Sequence, residues 1–416
     1  MRLTIINQFF VPDISPTANL CASLARHRTR RGDEVTVVTS RSQYVSSVGS
    51  TEDTNAEDSE VTVHRIRTPR LGKRTLLRRL LEYAVFYAGA AWRMLRLPRQ
   101  DVIVSLTTPP FIAWTAVLHR LLHPRCTIVL WNMDCYPDLP ERMGLLRPGG
   151  VVSRLMGWAN RALFRRLDSV VCLDQAMVEL LERRYVGPRS RLATYVIPNW
   201  EEGGHFPART SAPTRGDRFV VLYLGNTGVG HDFRTILEAA QRLRDEPIEF
   251  RFVGGGSRWP AIEEARREQG LQNVSMRSYV PKEETPGLLA EADCALITLR
   301  DLALGVMSPS KLHANLAAGL PVLYVGPAGS NVDEAVSRYD CGASLRNGDV
   351  DGVTAFLREA ATNAGRAAQM RDNSRRAFEE SYCGDRTLPL FDHVIEGRRG
   401  EFPSRDATPD SVQQVG

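Results

Sequence analysis

Short apolar runs alternate with longer stretches of helical periodicity along most of the chain. Residues 1–200 contain seven candidate strands, which are RLTIIN, EVTVVTS, VTVHRI, DVIVSL, CTIVLW, SVVCLD and YVIPNW. Six further candidates lie in the second half, which are FVVLYLG, IEFRFVGGG, NVSMRSYV, CALITL, PVLYVG and CGASL. Strands that alternate with helices are typical of parallel sheets covered by helices. The pattern therefore predicts an α/β protein with two tandem Rossmann-like, doubly wound domains.

The stretch 201–218 interrupts this periodicity and is rich in Gly, Pro, Thr and charge, as linkers are. We therefore predict an amino-terminal domain over 1–200 and a carboxyl-terminal domain over 219–383. A closing helix over 384–399 and a polar, disordered tail over 400–416 follow. Because ligands of open parallel sheets bind beyond the carboxyl ends of the strands, we expect the two domains to face each other across a cleft.

Length and cysteine content narrow the class of protein. A chain of 416 residues exceeds the ~250–300 residues at which a single hydrophobic core stops growing, which agrees with two domains. Its seven cysteines include no CxxC pair, which argues against a disulfide framework or a zinc site and favours a reducing cytoplasm. The opening residues MRLTIINQFF do not resemble a signal peptide, and no run of ~18 apolar residues predicts a spanning helix.

Positive charge is concentrated in one part of the first domain. The net charge is only +5, yet ten Lys/Arg residues and a single acid, Glu82, lie between His64 and Gln100. Residues 70–99 combine leucines and aromatics with arginines, as an amphipathic helix at an anionic membrane surface does. The alternative is a core helix that covers the sheet with its arginine tips in water. We predict a peripheral membrane contact and no nucleic-acid partner, because no nucleic-acid-binding motif accompanies the charge.

Two glycine-rich turns follow adjacent strands of the second half. They lie in LYLGNTGVGHDF (222–233) and in FVGGGSRW (252–259), each between a strand and a helix. Glycines let a backbone approach a ligand closely, and the amide groups of such turns bind anions. The predicted phosphate-binding residues are Gly225, Asn226, Thr227, Gly254, Gly255 and Gly256.

A lysine stands at the start of a helix with little other charge, in SPSKLHANLAAGLPVL (308–323). Pro309 fits the first turn of a helix, and Ser310 and Lys311 follow it. A cation is disfavoured at a helix amino terminus unless an anion offsets it. We predict that Lys311 and the helix start clamp a diphosphate; the alternative is a solvated lysine on a surface turn.

Together these features resemble a GT-B glycosyltransferase of the large retaining family 4, in particular the bacterial branch that builds surface polysaccharides such as colanic acid and O-antigen. IINQFFVPD and LARHRTRRGDEVTVVTS resemble the family's first strand, loop and helix, and PSKLHANLAAGLPVL resembles its donor-site helix. The resemblance covers nearly the whole chain. It implies a nucleotide-sugar donor in the second domain with Lys311 on its phosphates, an acceptor in the first domain, and retention of configuration.

The chain departs from the family's pattern beside the donor helix. Two glutamates that many members carry there correspond to Val306 and Ala314, whose side chains cannot accept a hydrogen bond. Asn315, His313 or backbone groups could replace them. The resemblance to the surface-polysaccharide branch implies that these losses are subfamily character.

The glycine loops depart from the family as well. An Arg and a Lys of the second-domain loop correspond to Asn226 and His231. Paired glycines of the first-domain loop correspond to Ser15–Thr17, where Thr17 either offers a hydroxyl to the acceptor or is a plain helix cap.

A family histidine near the reacting sugar corresponds to Asp134, in LWNMDCYPDLPERMG (130–144). A carboxylate at the carboxyl end of a strand can orient the acceptor hydroxyl or take its proton, and the alternative is an Asp that caps the next segment. Asn132, Asp138 and Glu141 are further acceptor-side candidates.

No metal site is predicted. His119 and His123 lie four residues apart but lack a third ligand nearby, so packing is the favoured interpretation. The DxD string in GDVDGV (348–353) precedes a helix and is interpreted as its cap. GT-B enzymes generally use helix dipoles and basic side chains in place of a metal, so we expect no metal or cofactor.

We therefore predict a cytoplasmic, membrane-associated glycosyltransferase that moves a sugar from a nucleotide-diphosphate donor, by analogy UDP-linked, to a lipid-linked or glycan acceptor. Lys311 and Asp134 are the predicted catalytic residues. Two alternatives are a nucleotide-sugar 2-epimerase of the same fold and a non-catalytic nucleotide-sugar-binding protein.

Overall fold

A computed structural model describes residues 1–13, 15–41, 60–69, 76–187, 190–203, 206 and 218–397. The first domain contains a parallel sheet in the order β3–β2–β1–β4–β5–β6–β7. Its strands are β1 (Arg2–Ile6), β2 (Glu34–Ser40), β3 (Val61–Ile66), β4 (Val102–Leu106), β5 (Thr127–Trp131), β6 (Ser169–Cys172) and β7 (Ala193–Val196). Strands β1, β4, β5 and β6 are almost wholly buried, as expected for a sheet covered on both faces.

Six helices of the described residues connect these strands. They are α1 (Pro16–Arg30), α2 (Leu76–Arg96), α3 (Trp114–Leu122), α4 (Asp138–Arg142), α5 (Val151–Phe164) and α6 (Gln175–Arg184). Local chemistry fixes where two of them begin. The Ser15 hydroxyl accepts a hydrogen bond from Ala18 N at the start of α1, and Asp174 accepts one from Met177 N at the start of α6.

The second domain repeats the architecture with a parallel sheet in the order β10–β9–β8–β11–β12–β13. The strands are β8 (Phe219–Asn226), β9 (Ile248–Gly255), β10 (Val274–Arg277), β11 (Cys294–Thr298), β12 (Val322–Val325) and β13 (Gly342–Leu345). The helices are α7 (Arg234–Arg242), α8 (Trp259–Glu268), α9 (Thr285–Glu291), α10 (Lys311–Ala317), α11 (Asn331–Tyr339), α12 (Val350–Thr362), α13 (Ala364–Ala377) and α14 (Gly384–Ile395). The prediction of two doubly wound α/β domains is confirmed.

The last helix, α14, fastens the end of the described chain to the first domain. Its Asp392 and Glu396, just beyond the helix, accept hydrogen bonds from the buried Arg28 of α1, at 2.6 and 3.0 Å. Nearby, the ring of Phe391 packs 4.5 Å from that of Trp131, centroid to centroid. Trp200 stacks on Trp131 at 5.4 Å. The closing helix therefore joins the two domains through both charge and aromatic packing.

Sequence and structure agree closely on the strands, with one clear exception. EVTVVTS and VTVHRI coincide with β2 and β3. YVIPNW does not coincide with β7, which ends at Val196. Pro198 has no N–H for a sheet ladder, and the chain beyond it turns back to place Trp200 on Trp131.

The predicted linker and tail lie largely outside the described residues, since 207–217 and 398–416 do so. The exact domain boundaries stay predictions. Within the described part of the chain, none of the helices combines the length and apolar character that a membrane crossing requires.

Candidate functional site

The two glycine turns of the second domain lie against each other. Strands β8 and β9 pair in register to their ends, with Gly225 opposite Gly254 and Asn226 opposite Gly255. Gly225 and Gly254 have φ of 125° and 141°, in the region that favours glycine. A Cβ on Gly254 would overlap the Gly225 carbonyl.

Hydrogen bonds tie the two turns together. Thr227 donates its N–H and its hydroxyl to Gly255 O, at 2.7 and 3.1 Å. Gly256 also has a positive φ, of 135°, and a Cβ there would overlap Asn226 Oδ1. The structure thus brings all six predicted glycine-turn residues together at the carboxyl edge of the second sheet.

Lys311 points toward this edge from the first residue of α10. Its Nζ lies 3.4 Å from Asn226 O and 4.8 Å from the centroid of the Tyr223 ring. A Cβ on Gly225 would sit 3.2 Å from Lys311 Cε, so the glycine leaves space for the lysine stem. Burial lowers the pKa of Lys311 to about 8. Among the described residues, no carboxylate forms an ion pair with this half-buried ammonium group.

His231 also contacts the ammonium group of Lys311. Its Nδ1 lies 2.6 Å from Thr298 O, at the end of β11, and its Nε2 lies 3.4 Å from Lys311 Nζ. Because a carbonyl oxygen only accepts, Nδ1 carries the proton and Nε2 faces the lysine with its lone pair. Burial first, and the charge of Lys311 second, lower the pKa of His231 to about 3. The imidazole is therefore a neutral acceptor, not a second cation.

Asp134 lies where the first domain meets the segment that leads to Lys311. It follows β5, and its N–H lies 3.2 Å from the Thr107 hydroxyl, which accepts the hydrogen bond. Its backbone pairs in an antiparallel bridge with Met307 of the second domain. Next to it, Cys135 donates its N–H to Val306 O at 2.9 Å. The structure thus connects the two predicted catalytic residues across the domain interface.

The carboxyl group of Asp134 is half-buried, and burial raises its pKa to about 6. It borders a narrow cavity between the first sheet and α5, with apolar walls that include Phe111, Leu163 and Phe164. At pH 7 most of this carboxyl group is ionised and can accept a hydrogen bond from a hydroxyl.

Asp138 is placed differently from the acceptor-side role predicted for it. It is fully buried, its carboxylate is paired with Arg184, and it accepts a hydrogen bond from the Tyr185 hydroxyl at 2.5 Å. Glu141 is also paired with Arg184, at 3.1 Å. Both carboxylates hold α4 to α6, so we do not retain them in the site.

Asn132 and Thr17 are likewise engaged inside the first domain. Asn132 is buried and donates to Met177 Sδ at 3.1 Å. Thr17 Oγ1 lies 2.8 Å from Ser15 Oγ, and Ser15, not Thr17, caps α1. These contacts direct both side chains to other groups of the first domain. Thr17 is nevertheless half-exposed.

The neighbours of Lys311 also differ from expectation in detail. Helix α10 begins at Lys311 itself, so Pro309 precedes the helix, and Ser310 makes no side-chain cap. Asn315 is buried on the helix. His313 is buried, its Nδ1 lies 3.1 Å from Ser310 O, and its Nε2 has no hydrogen-bond partner among the described residues.

One residue of the histidine pair and one of the DxD string have structural roles. His119 is fully buried, with Nδ1 2.7 Å from Met94 O, as a packing role requires. Asp349 caps α12 by accepting a hydrogen bond from Gly352 N at 2.8 Å. The described residues contain no cluster of three or more His, Cys, Asp or Glu side chains arranged to hold a metal ion. All seven thiols are free.

Two family models match the two halves of the chain. Residues 17–200 match the glycosyl transferase 4-like domain, and residues 218–363 match the glycosyl transferases group 1 family. The chain belongs to the GT-B glycosyltransferases of group 1. At family level the chain is therefore a glycosyltransferase.

Two bacterial proteins are similar in sequence to this glycosyltransferase. It is 25% identical over 337 residues to WcaI of Escherichia coli K12, described as a glycosyl transferase of colanic acid biosynthesis, covering 77% of this chain and 82% of that one. It is 27% identical over 283 residues to the glycosyltransferase WbjE of Pseudomonas aeruginosa, covering 66% of this chain and 70% of that one.

Solved structures agree with the glycosyltransferase's fold. WaaG, a glycosyltransferase involved in lipopolysaccharide biosynthesis, superposes with a TM-score of 0.65 at 17% identity, covering 95% of this chain and all of that one. HepE of Anabaena, solved in complex with UDP-glucose, superposes with a TM-score of 0.69 at 14% identity, covering 96% of this chain and all of that one.

The pairing of His231 with Lys311 in this glycosyltransferase is the contact that sequence reasoning missed. The sequence marks His231 only as a departure from a family lysine. Its tautomer is fixed by Thr298 O, 67 residues away along the chain. The sequence signal that could have found it is a histidine where the family has a lysine, beside a glycine turn that Lys311 also approaches. A neutral histidine there can accept a hydrogen bond from Lys311 and orient it.

Proposed function

We propose that this glycosyltransferase transfers a sugar from a nucleotide-diphosphate donor, a UDP-sugar, to a lipid-linked or glycan acceptor of cell-surface polysaccharide synthesis. One observation supports the donor side above the others. Lys311 is a half-buried cation without a carboxylate partner among the described residues, and it lies against paired glycine turns. A diphosphate supplies the negative charge that this arrangement lacks. The choice of UDP rests on the UDP-glucose complex of HepE.

The chemistry asked of the donor side is the stabilisation of a leaving group. Transfer breaks the bond between the anomeric carbon and the diphosphate oxygen, and negative charge grows on the diphosphate. A fixed ammonium group at that position lowers the barrier, typically by a factor of ~10² or more for one such group. Because His231 accepts a hydrogen bond from Lys311, the ammonium is oriented before the donor arrives.

The acceptor side is assigned to Asp134. Its carboxylate is at the carboxyl end of β5 and beside the interdomain bridge to Met307. A carboxylate with a pKa near 6 is ionised at neutral pH and can orient an acceptor hydroxyl or take its proton. We further propose that transfer proceeds with retention and needs no metal or cofactor, since the donor charge is met by Lys311 and backbone amides.

A lipid-linked acceptor requires that the transfer take place at a membrane surface. We place the enzyme at the cytoplasmic face of the plasma membrane, with residues 70–99 at the lipid surface. Residues 70–75 lie outside the described residues, but α2 exposes Leu80, Leu81 and Trp92 to solvent. Apolar side chains on a basic helix suit a headgroup boundary.

Thermal shift with a nucleotide panel tests the donor site. Purified protein is melted with UDP, GDP, ADP or CMP, as wild type, as Lys311→Ala and as Arg267→Ala, which removes an exposed cation of α8. At one hundred times its Kd, a nucleotide stabilises the folded state by about 2.7 kcal/mol. We expect UDP to raise the Tm of the wild type and of Arg267→Ala, and not of Lys311→Ala.

Two results would count against this proposal. If no nucleotide shifts the wild type, the donor site is not functional and the non-catalytic alternative replaces it. If UDP stabilises Lys311→Ala as strongly as wild type, the lysine does not bind the diphosphate. In a transfer assay with an active donor, Lys311→Ala should lower turnover by about 10²-fold or more.

A further inference from the structure

The first domain exposes an unusual number of large apolar side chains on one group of helices. Of the fifteen exposed large hydrophobic residues in the described part of the chain, twelve lie on α2, on α3 or between residues 145 and 158. Isolated exposed apolar residues are normal, but a concentrated set marks an interaction surface. The twelve are Leu80, Leu81, Trp92, Leu95, Leu118, Leu121, Leu122, Leu145, Val151, Val152, Leu155 and Trp158.

These side chains form continuous stripes along their helices. On α2, Leu81, Ala84, Ala88, Trp92 and Leu95 are all exposed and recur every three or four residues. This spacing puts them on one face of a helix. The opposite face packs into the core through Phe86, Ala90 and Met94. Helix α2 is therefore apolar both on its buried side and on its exposed side. An exposed side in contact with water alone would be expected to be polar.

Helix α5 also exposes apolar side chains to solvent, and arginines lie among them. Val151, Leu155 and Trp158 are 76%, 61% and 66% exposed. Arg154 and Arg161 are exposed between and beyond them. The side that faces the protein is formed by Ser153, Asn160, Leu163 and Phe164, which are buried.

The three helices belong to one layer. Strand order runs β1, β4, β5, β6 to one side, and right-handed crossovers place α2, α3 and α5 on the same face of the sheet. Contacts agree with this: Arg166, just after α5, lies 5.5 Å from the Trp114 ring of α3. The stripes therefore form one surface, called here the exposed layer.

In the described part of the chain, the exposed charged side chains of α2 and α5 are all arginines. From Arg142 to Leu167 the sequence has six arginines and no Asp or Glu. In α2, Arg96 lies 3.8 Å from the centroid of the exposed Trp92 ring. Arginines with Trp and Leu on one surface match the headgroup boundary of an anionic bilayer, where the charges meet phosphates and the apolar groups enter the acyl region. A second copy of the chain would bring positive charge to positive charge.

We propose that the exposed layer of α2, α3 and α5 docks on an anionic lipid bilayer, so that the membrane contact extends well beyond residues 70–99. This inference deepens the proposal of a lipid-linked acceptor and rests on it for its purpose.

The docked surface and the proposed acceptor site share helix α5. Helix α2 lies in the connection from β3 to β4, and α5 lies, after α4, in the connection from β5 to β6, so both run back from the side where the carboxyl ends of the strands lie. The inner side of α5 lines the cavity that also contacts Asp134. One helix thus presents Trp158 to the bilayer and Leu163 to the acceptor side. The exposed Trp158 and the cavity beside Asp134 therefore lie on opposite sides of one helix.

Vesicle co-sedimentation of the full chain tests the inference. Vesicles are made of phosphatidylcholine alone, or of equal parts phosphatidylcholine and phosphatidylglycerol. The variants are Trp158→Ser, Trp92→Ser and the pair Arg154→Gln/Arg161→Gln. The matched control is Arg267→Gln/Arg376→Gln, which removes two exposed arginines from the second domain.

The expected losses follow from the chemistry of each group. One arginine near an anionic surface contributes about 1 kcal/mol, so the α5 pair should lower the partition coefficient about 25-fold on anionic vesicles. Each tryptophan variant should lower it by about tenfold or more, on the scale of burying one large apolar side chain. The second-domain pair should remain within about twofold of wild type, since its arginines lie outside the exposed layer.

Three outcomes would overturn the inference. Wild type could bind anionic vesicles no better than neutral ones. Trp92→Ser could weaken binding while both α5 variants leave it intact, which would confine the contact to α2. Analytical ultracentrifugation could show a dimer that Trp158→Ser dissociates, which would assign the surface to a second copy.

Nucleotide thermal shift on the same variants separates this inference from the proposed function. The exposed layer is remote from the glycine turns, so UDP should stabilise Trp158→Ser as it does wild type. Loss of vesicle binding with intact nucleotide binding supports the docking surface. A wild type that binds vesicles but no nucleotide contradicts the donor site alone.

Discussion

Replacing Lys311 by methionine should stabilise the unliganded protein while it abolishes nucleotide binding. Methionine keeps an unbranched stem beside Gly225 and Tyr223 and removes the charge. Burial lowers the pKa of Lys311 from 10.5 to about 8, so the folded state holds the ammonium less favourably than the unfolded state does. The full shift corresponds to about 3 kcal/mol, and because the side chain is only half-buried we expect about 1–2 kcal/mol.

The sign of the pH dependence gives this prediction a second readout. Below pH 8 the lysine is charged in both states, and its whole cost falls on the folded wild type. Between pH 8 and pH 10.5 the unfolded chain binds more protons, so the stability of the wild type rises with pH relative to the variant. The advantage of Lys311→Met is therefore greatest near pH 7 and disappears as pH approaches 10.5.

Thermal melts of both proteins at pH 7, 8.5 and 10 measure this difference, with Arg267→Met as the control for loss of an exposed cation. For domains of this size about 1 kcal/mol shifts Tm by about 2–4 °C, so a rise of about 2–8 °C is expected for Lys311→Met at neutral pH. A variant that is less stable than wild type at pH 7, by an amount that does not change with pH, would refute the account of Lys311 as an uncompensated cation.

Three further predictions address the acceptor side, the glycine turns and the closing helix. Asp134→Asn should keep UDP binding but lose most of its transfer activity, and the wild-type rate should fall as pH drops below about 6 because the carboxyl group becomes protonated. A residual activity in the variant that falls at low pH as the wild-type rate does would contradict this. Gly254→Ala should abolish nucleotide stabilisation through its overlap with the neighbouring turn, whereas Gly287→Ala, with open space around its Cα, should not; thermal shift compares them. Arg28→Ala should cost about 3 kcal/mol or more of unfolding free energy, because it removes the buried guanidinium that Asp33, Asp392 and Glu396 share and leaves them only more exposed partners. The more exposed Arg31→Ala should cost less than about 1 kcal/mol, and equal losses in urea unfolding would exclude the buried cluster as the cause.

The strands could be predicted from the sequence because both sheets are buried. A parallel strand covered on two faces is a continuous apolar run, and CALITL and PVLYVG stand out as such in a polar background. YVIPNW fails for the same reason: Ile197 and Trp200 are buried, but they pack against the first domain after β7 has ended. Burial alone does not distinguish a strand from a segment that crosses the end of a sheet.

The donor side was predictable and the acceptor side was much less so. Gly225 and Gly254 lie at the ends of β8 and β9, Lys311 comes after β11, and the carboxyl ends of parallel strands share one edge. Asp138 follows a strand in the same way, yet Arg184 and Tyr185 of a later helix neutralise and bury it. Sequence position gives the edge of the sheet, whereas a side chain's partner depends on tertiary packing.

Val306, the position that the resemblance matches to a family glutamate, lies at the contact between the two domains. Val306 is fully buried, and its carbonyl accepts the N–H of Cys135 from the first domain. A glutamate here would place a second carboxylate beside the half-buried Asp134, where desolvation and like charge would oppose ionisation. The segment that reaches Lys311 is fastened to the end of β5 through Cys135 and through the bridge from Asp134 to Met307. Both contacts use main-chain atoms, so they do not depend on the side chain at position 306. They place the predicted donor cation, four residues after Met307, and the predicted acceptor carboxylate on directly connected segments of the two domains, and the buried valine fills this junction without adding a second charge.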